Sequence, residues 1–260
     1  MSYTTLTYRT DERVATIVLT VPEKRNAISA QMVADLTAVL AQAKSSGAHA
    51  VILTGSGKAF CAGMDLDELQ LMGKSTLQKN LEDARRVAEM FYQLYSFPRP
   101  VIAAVNGAAI AGGCGLATLA DFTLAIPEAK FGYPEVKLGF MPAVVAVFLR
   151  RQIAAKHVHD LLLTGRIIDA AEAHRIGLIT EIVPGARLMD RAREVAATLM
   201  AASPTAVART KRFLLDFDDA AIRSELEAAI NANADIRSTP DFHEGVASFL
   251  EKRAPKWSGG

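Results

Sequence analysis

Cysteine is nearly absent from this chain of 260 residues: there are two, Cys61 and Cys114. A disulfide framework needs more of them in a much shorter chain, so the pattern points to a reducing, cytoplasmic setting. Excess charge of either sign is absent too, 29 basic residues facing 28 acidic ones for a net charge of +1. That balance gives no global reason to bind nucleic acid or an anionic membrane, and any anion site has to be local. No apolar run reaches the roughly 18 residues of a membrane span. The opening stretch, MSYTTLTYRTDERVATIVLTVP, has no basic flank ahead of an apolar run, so no signal peptide is expected. The five histidines lack metal-ligand spacing. His157 and His159, two apart on an expected helix, face different sides, and no metal is expected.

What the chain has is apolar bulk, 50% hydrophobic residues, enough for a large core. Leu6 to Arg9 and Val14 to Leu19 read as a hairpin, and Ser29 caps a helix whose apolar residues run from Met32 to Ala43. Val51–Thr54 and Val101–Val105 read as buried strands, and Ser75–Phe97 as a long amphipathic helix stopped by Pro98 and Pro100. Gly112–Gly113 opens a small-residue helix, and Phe122–Ile126 is a further strand. This rhythm predicts an α/β body with a partly parallel sheet over residues 1–184. Residues 185–260 read as helices only. No strong internal sequence repeat is visible.

Four segments carry candidate chemistry. Gly55-Ser-Gly-Lys58 lacks the spacing of a phosphate loop, since no glycine stands four residues earlier and Ala59 follows the lysine; it reads as a plain turn. Gly107–Gly113 follows a buried strand and opens a helix, where unpaired N–H groups welcome a negative oxygen; close packing of helix on sheet explains the glycines equally well. Cys61 and Cys114 read as buried small apolar residues. Glu135, between Tyr133-Pro134 and Val136, is either a desolvated carboxylate with a raised pKa or an exposed one beside Lys137.

Three of these stretches resemble one family. Ala59-Phe-Cys-Ala-Gly-Met-Asp-Leu66, Asn106-Gly-Ala-Ala-Ile-Ala-Gly-Gly-Cys-Gly-Leu116 with Ala120–Asp121, and Phe131-Gly-Tyr-Pro-Glu-Val-Lys-Leu-Gly139 with Pro142 resemble the signatures of the enoyl-CoA hydratase/isomerase (crotonase) family, in its order and spacing. Leu163-Thr-Gly-Arg166 and the tail Glu244–Arg253 continue the likeness. The resemblance implies a crotonase-like spiral of ββα repeats with a C-terminal α-helical region that builds trimers, often paired into hexamers. It implies an acyl-CoA thioester substrate and no further cofactor. The backbone N–H groups of Met64 and Gly112 match the family's oxyanion donors, and Glu135 its general base and acid. Lys24, Arg25, Ala62 and Asp65 match the surroundings of coenzyme A. Gly115 and Pro134 match further substrate-binding positions. Phe249 and Lys252 match residues that a neighbouring subunit contributes, unless they belong to an ordinary amphipathic surface helix.

One departure matters. Hydratases of this family typically carry a second catalytic glutamate after the glycine-rich turn, and here that position is Gly115. Three expectations follow: an enoyl-CoA hydratase, a Δ3-Δ2-enoyl-CoA isomerase with Glu135 as sole base, or a non-catalytic acyl-CoA-binding or RNA-associated relative. Asp67 or Glu68 remains open as a replacement acid. Ala143–Val144–Val145 stands where the family is often glycine-rich and suggests an apolar acyl wall.

Overall fold

The computed structural model describes residues 3–259. Its first unit is the hairpin β1 (Leu6–Asp11) and β2 (Val14–Leu19), followed by α1 (Ala30–Ser45), whose first turn is capped by Ser29 accepting from the Met32 N–H. The second is β3 (Ala50–Gly55), β4 (Ala59–Cys61), a short α2 (Leu66–Met72) and the long α3 (Leu77–Tyr95). Next come β5 (Val101–Val105), β6 (Ala108–Ile110) and α4 (Gly112–Thr118), then β7 (Phe122–Ala125), β8 (Lys130–Gly132), α5 (Ala143–Leu149) and α6 (Ala155–Thr164). Then β9 (Ile167–Asp169), α7 (Ala170–Arg175) and β10 (Glu181–Ile182) lead into α8 (Leu188–Met200), α9 (Pro204–Asp216), α10 (Asp219–Ile236) and α11 (Pro240–Leu250).

The repeat absent from the letters is present in space. From the second unit on, each places its first strand in a large sheet, ordered β1-β2-β3-β5-β7-β10, and its second in a small one, ordered β4-β6-β8-β9. β2, β3, β5, β7 and β10 run parallel, as do β4, β6 and β8. This is the expected spiral of ββα units with a helical C-terminal region.

The continuous apolar runs of β3 and β5 have a plain cause: both faces of the large sheet are covered. Val51, Leu53, Val101 and Ala103 join the main core beneath α1 and α3. Ala50, Ile52, Ile102 and Ala104 pack on Leu188, Ala192 and Ala196 of α8. Further on, α10 lies across α3 and α5. A third cluster unites Leu69 and Met72 of α2, Phe140 and Phe242 of α11, with Met64 and Leu138 packed against it.

Some expectations differ in detail. The stretch from Gly177 to Pro184, read as extended, holds only a two-residue strand. The small sheet was hidden because each of its strands has three residues, too few for a period of two to register. Among the described residues, no helix is long and apolar enough to cross a membrane, and no cluster of three or more acidic, His or Cys side chains could hold a metal ion.

Candidate active site

Two turns meet at the edge of the small sheet. The first runs through Ala62, Gly63 and Met64. It is tied to the preceding loop by the Ala62 N–H donating to the Arg25 oxygen at 3.0 Å, and by a parallel bridge between Met64 and Ile28. In that bridge Ile28 N donates to Gly63 O at 2.7 Å and Asp65 N to Ile28 O at 3.0 Å. Alternation along an extended chain therefore turns the Met64 N–H away from Ile28. Among the described residues it finds no acceptor.

The second turn leads into α4. Ala111 holds φ 53° and ψ −127°, a conformation that costs a residue with a Cβ about 1–3 kcal/mol. Its own N–H donates to Gly132 O at 2.8 Å. The next N–H, on Gly112, is the first of the helix and has no acceptor among the described residues, as an N-terminal donor requires. The turns touch through glycines. A Cβ on Gly63 would lie 2.9 Å from Ala111 Cβ, and one on Gly113 would lie 2.2 Å from the Cys61 oxygen. Two free backbone donors thus stand on adjoining turns, one of them at the positive end of a helix.

Glu135 reaches the same neighbourhood by register. β8 pairs with β6, and the Gly132 bonded to Ala111 stands three residues before it. Pro134 opens a 3-10 turn over Pro134–Leu138, which Gly139 ends at φ 62°. The Glu135 side chain is buried, and its Oε2 has no hydrogen-bond partner. Burial pushes its pKa from 4.5 up to about 7. It makes no ion pair with Lys137, so of the two sequence readings the structure shows the desolvated carboxylate.

That shift has a testable sign. Between about pH 4.5 and 7 the folded chain holds a proton on Glu135 that the unfolded chain releases. Stability is therefore lost as pH rises through this window, by about 3 kcal/mol once above it. Glu135→Gln is expected to be more stable than the wild type at pH 8, by up to about 3 kcal/mol, and nearly equal to it at about pH 4, below the unfolded-state value. Urea unfolding at the two pH values checks this.

Gly115 lies one turn along α4 from Gly112. A Cβ there would meet Val145 Cγ1 at 2.7 Å and two Phe91 ring carbons at 3.5 Å. The same Phe91 ring lies 3.6 Å from a Cβ built on Gly112, and Ile28 Cδ1 lies at 3.0 Å. The position of the family's first glutamate is thus filled by apolar side chains from α3 and α5. Neither replacement acid comes in. Glu68 accepts from the Ala30 N–H at 3.0 Å, and Asp67 pairs with Lys24 at 2.9 Å on the surface.

The thiols of Cys61 and Cys114 are pushed up to about 12 by burial, which keeps them protonated and unreactive. Lys24 also pairs with Asp65 at 2.9 Å; its pKa is raised by its hydrogen bonds to Asp67 and Asp65. Arg25 is exposed, with φ 53°, and has no ion pair among the described residues. Asn26 fixes this loop from below. Its Oδ1 accepts from Val21 N, and its Nδ2 donates to Ser56 O and Ala59 O, each at 2.9 Å.

The chain therefore brings Lys24, Arg25, Ala62, Met64, Asp65 and Gly112 together, with Gly115, Pro134 and Glu135 next to them. It does not bring Phe249 or Lys252. Phe249 is 53% exposed at the end of α11, and the Lys252 side chain makes no ion pair among the described residues. Ile28 and Phe91 were missed as walls, since only distant packing reveals them; Val145 had its signal in the apolar stretch after Pro142. Two cavities of about 600 and 520 Å3 open elsewhere, and none of Met64, Gly112 or Glu135 lines them.

The spiral of ββα units and the paired glycine turns define a crotonase-type protein. The family model for enoyl-CoA hydratase/isomerase matches residues 9–260, and the chain belongs to that family, whose enzymes are of lyase or isomerase type. A Thermus thermophilus protein provisionally named enoyl-CoA hydratase is 39% identical over 245 residues, 94% of this chain and 97% of its own. A crystal structure of an enoyl-CoA hydratase/isomerase from Xanthobacter autotrophicus Py2 superposes with a TM-score of 0.89 at 29% identity, covering 96% of this chain and 94% of the other. The structure of carnitinyl-CoA hydratase from Mycobacterium avium does so with a TM-score of 0.87 at 31% identity, covering 100% of each chain.

Proposed function

We propose that this enzyme adds water to a 2-enoyl-CoA thioester, giving the 3-hydroxyacyl-CoA, with Glu135 as its only proton-transfer group. The observation that carries the reading is a buried, unpartnered carboxylate with a pKa of about 7, next to two turns whose backbone donors are free. Such a carboxylate both accepts and returns a proton near neutral pH. The hydratase names of the relatives support the same direction.

The step balances with one carboxylate. Glu135 takes a proton from water while the water oxygen bonds to C3. The electron pair of the C2=C3 bond moves toward the thioester oxygen, and the enolate is held by the N–H groups of Met64 and Gly112. The protonated Glu135 then gives its proton to C2. Two fixed donors stabilise the oxyanion because they need no reorganisation as its charge grows. In this reading Lys24, Arg25, Ala62 and Asp65 border the coenzyme A portion. Gly115 and Pro134 border the acyl group. Phe249 and Lys252 reach it from a neighbouring subunit of a trimer or dimer of trimers. Their exposure, and that of Phe213 and Leu214 on α9 and of Phe217 just after it, supports that assembly.

One observation favours a second reading. With Val145 and Phe91 closing the place of a second carboxylate, a 1,3-shift of a double bond is the less demanding reaction, since one base removes and returns the same proton. Crotonyl-CoA and 3-hexenoyl-CoA separate the two. Hydration predicts loss of conjugated absorbance with crotonyl-CoA. A gain of conjugation with 3-hexenoyl-CoA alone would replace it by a Δ3-Δ2 isomerase, and silence with both would send the reading back to a non-catalytic binder.

A further inference from the structure

The sheet alone leaves the tilt of the Glu135 turn open, because β8 ends at Gly132, three residues before it. What lies against the turn is α11. Thr239 caps that helix, its hydroxyl accepting from Phe242 N at 3.2 Å. Two glycines let backbone rest on backbone here. A Cβ on Gly245 would stand 2.2 Å from Leu138 O, and one on Gly139 would stand 2.2 Å from Asp241 O. Gly139 suits its φ of 62° in any case. Gly245 has no such need. It lies inside a helix, where glycine is unfavourable, so the close approach to Leu138 accounts for it.

Side chains extend the contact in both directions. Phe140 N donates to Glu135 O at 3.1 Å, and the Phe140 ring packs on Phe242 with centroids 5.4 Å apart. Phe242 is fully buried and shares a cluster with Leu69 and Met72 of α2, against which the Met64 side chain packs. The chain just ahead of α11 is fixed as well. Arg237, 2% exposed, donates to Asp83 at 2.8 Å and Asn80 at 3.3 Å on α3, and to Asn233 at 2.7 Å on α10. Its guanidinium carbon lies 5.9 Å from the centre of the Phe140 ring. The first turns of α11 therefore touch the turn of the base and the cluster beside Met64 at once, while Phe249 at its far end is exposed.

We infer that α11 sets the position of Glu135 against the oxyanion donors of its own chain, with Gly245 as the positioning residue. The inference rests on Glu135 being the base. Gly245 meets no reacting atom and acts only through the Pro134–Leu138 turn.

A double-mutant cycle on the full chain tests it. In Gly245→Ala the new Cβ pushes on Leu138 O, and kcat of the folded enzyme is expected to fall by about tenfold to a hundredfold, the scale of a misplacement near 1 Å. KM is expected to change by less than about threefold. Gly245→Ala combined with Glu135→Gln is expected to be no slower than Glu135→Gln alone, since a carboxylate already removed cannot be misplaced. Phe140→Leu loses the ring contacts but keeps an apolar side chain. It is expected to follow the same pattern, and it carries the test if Gly245→Ala does not fold. Wild-type kcat in the folded variants, or losses that multiply with that of Glu135→Gln, would overturn the positioning role and leave Glu135 as the base. Wild-type turnover in Glu135→Gln itself would remove the base, and the inference with it.

Discussion

Glu135→Gln is expected to lower kcat by about a hundred- to ten-thousand-fold, the usual contribution of a positioned acid and base. The amide keeps the shape of the side chain but cannot take up a proton and return it. Nothing else nearby can substitute, because Glu68 caps a backbone N–H, Asp67 pairs with Lys24, and the thiol of Cys114 stays protonated. Thioester binding is expected to be nearly unchanged, since the neutral amide replaces a carboxyl group that is itself half protonated near pH 7. Binding titration beside steady-state kinetics separates the two effects. Turnover at the wild-type rate would show that Glu135 is not the base. In the wild type the same pKa predicts that kcat/KM rises with pH up to about 7, because the step begins from the ionised carboxylate.

Gly113→Ala is the second large effect. Its Cβ would stand 2.2 Å from the Cys61 oxygen and 2.7 Å from the Cys61 carbonyl carbon, backbone atoms that cannot swing aside as a side chain can. The turn carrying Met64 must then move away from the turn carrying Gly112. Misplacing one oxyanion donor costs about 10²–10³ in kcat, equivalent to about 3–4 kcal/mol. KM is expected to change much less, because the donors act mainly on charge that appears during the reaction. Circular dichroism and kinetics on the purified variant check this. Wild-type kcat would mean that the close approach of these turns has no bearing on the chemistry.

The large-sheet strands were legible because Val51–Thr54 and Val101–Val105 are unbroken apolar runs bounded by turns, and α1 because Ser29 stands at its cap before a helical apolar period. The ββα spiral followed from the resemblance, since its repeat lies in geometry and not in recurring letters. At the candidate site, the sequence left Glu135 open between a desolvated and an exposed carboxylate. Burial by residues distant in the chain settled its environment. Gly115 was visible as a missing glutamate. That its place is closed by Phe91 and Val145 is tertiary packing, which no local pattern encodes. The bond from Ala111 N to Gly132 O, which sets the two halves of the site side by side, joins residues of two three-residue strands' ends and had no signal at all.

The central claim is that Glu135 and the two backbone donors together make an enolate, whichever overall reaction follows. Exchange of the α-protons of butanoyl-CoA in D2O, followed by proton NMR, tests it without a double bond or added water to consume. Enzyme-dependent exchange at C2, abolished by Glu135→Gln while butanoyl-CoA still binds, is the predicted result. Exchange persisting at the wild-type rate in Glu135→Gln would contradict the account.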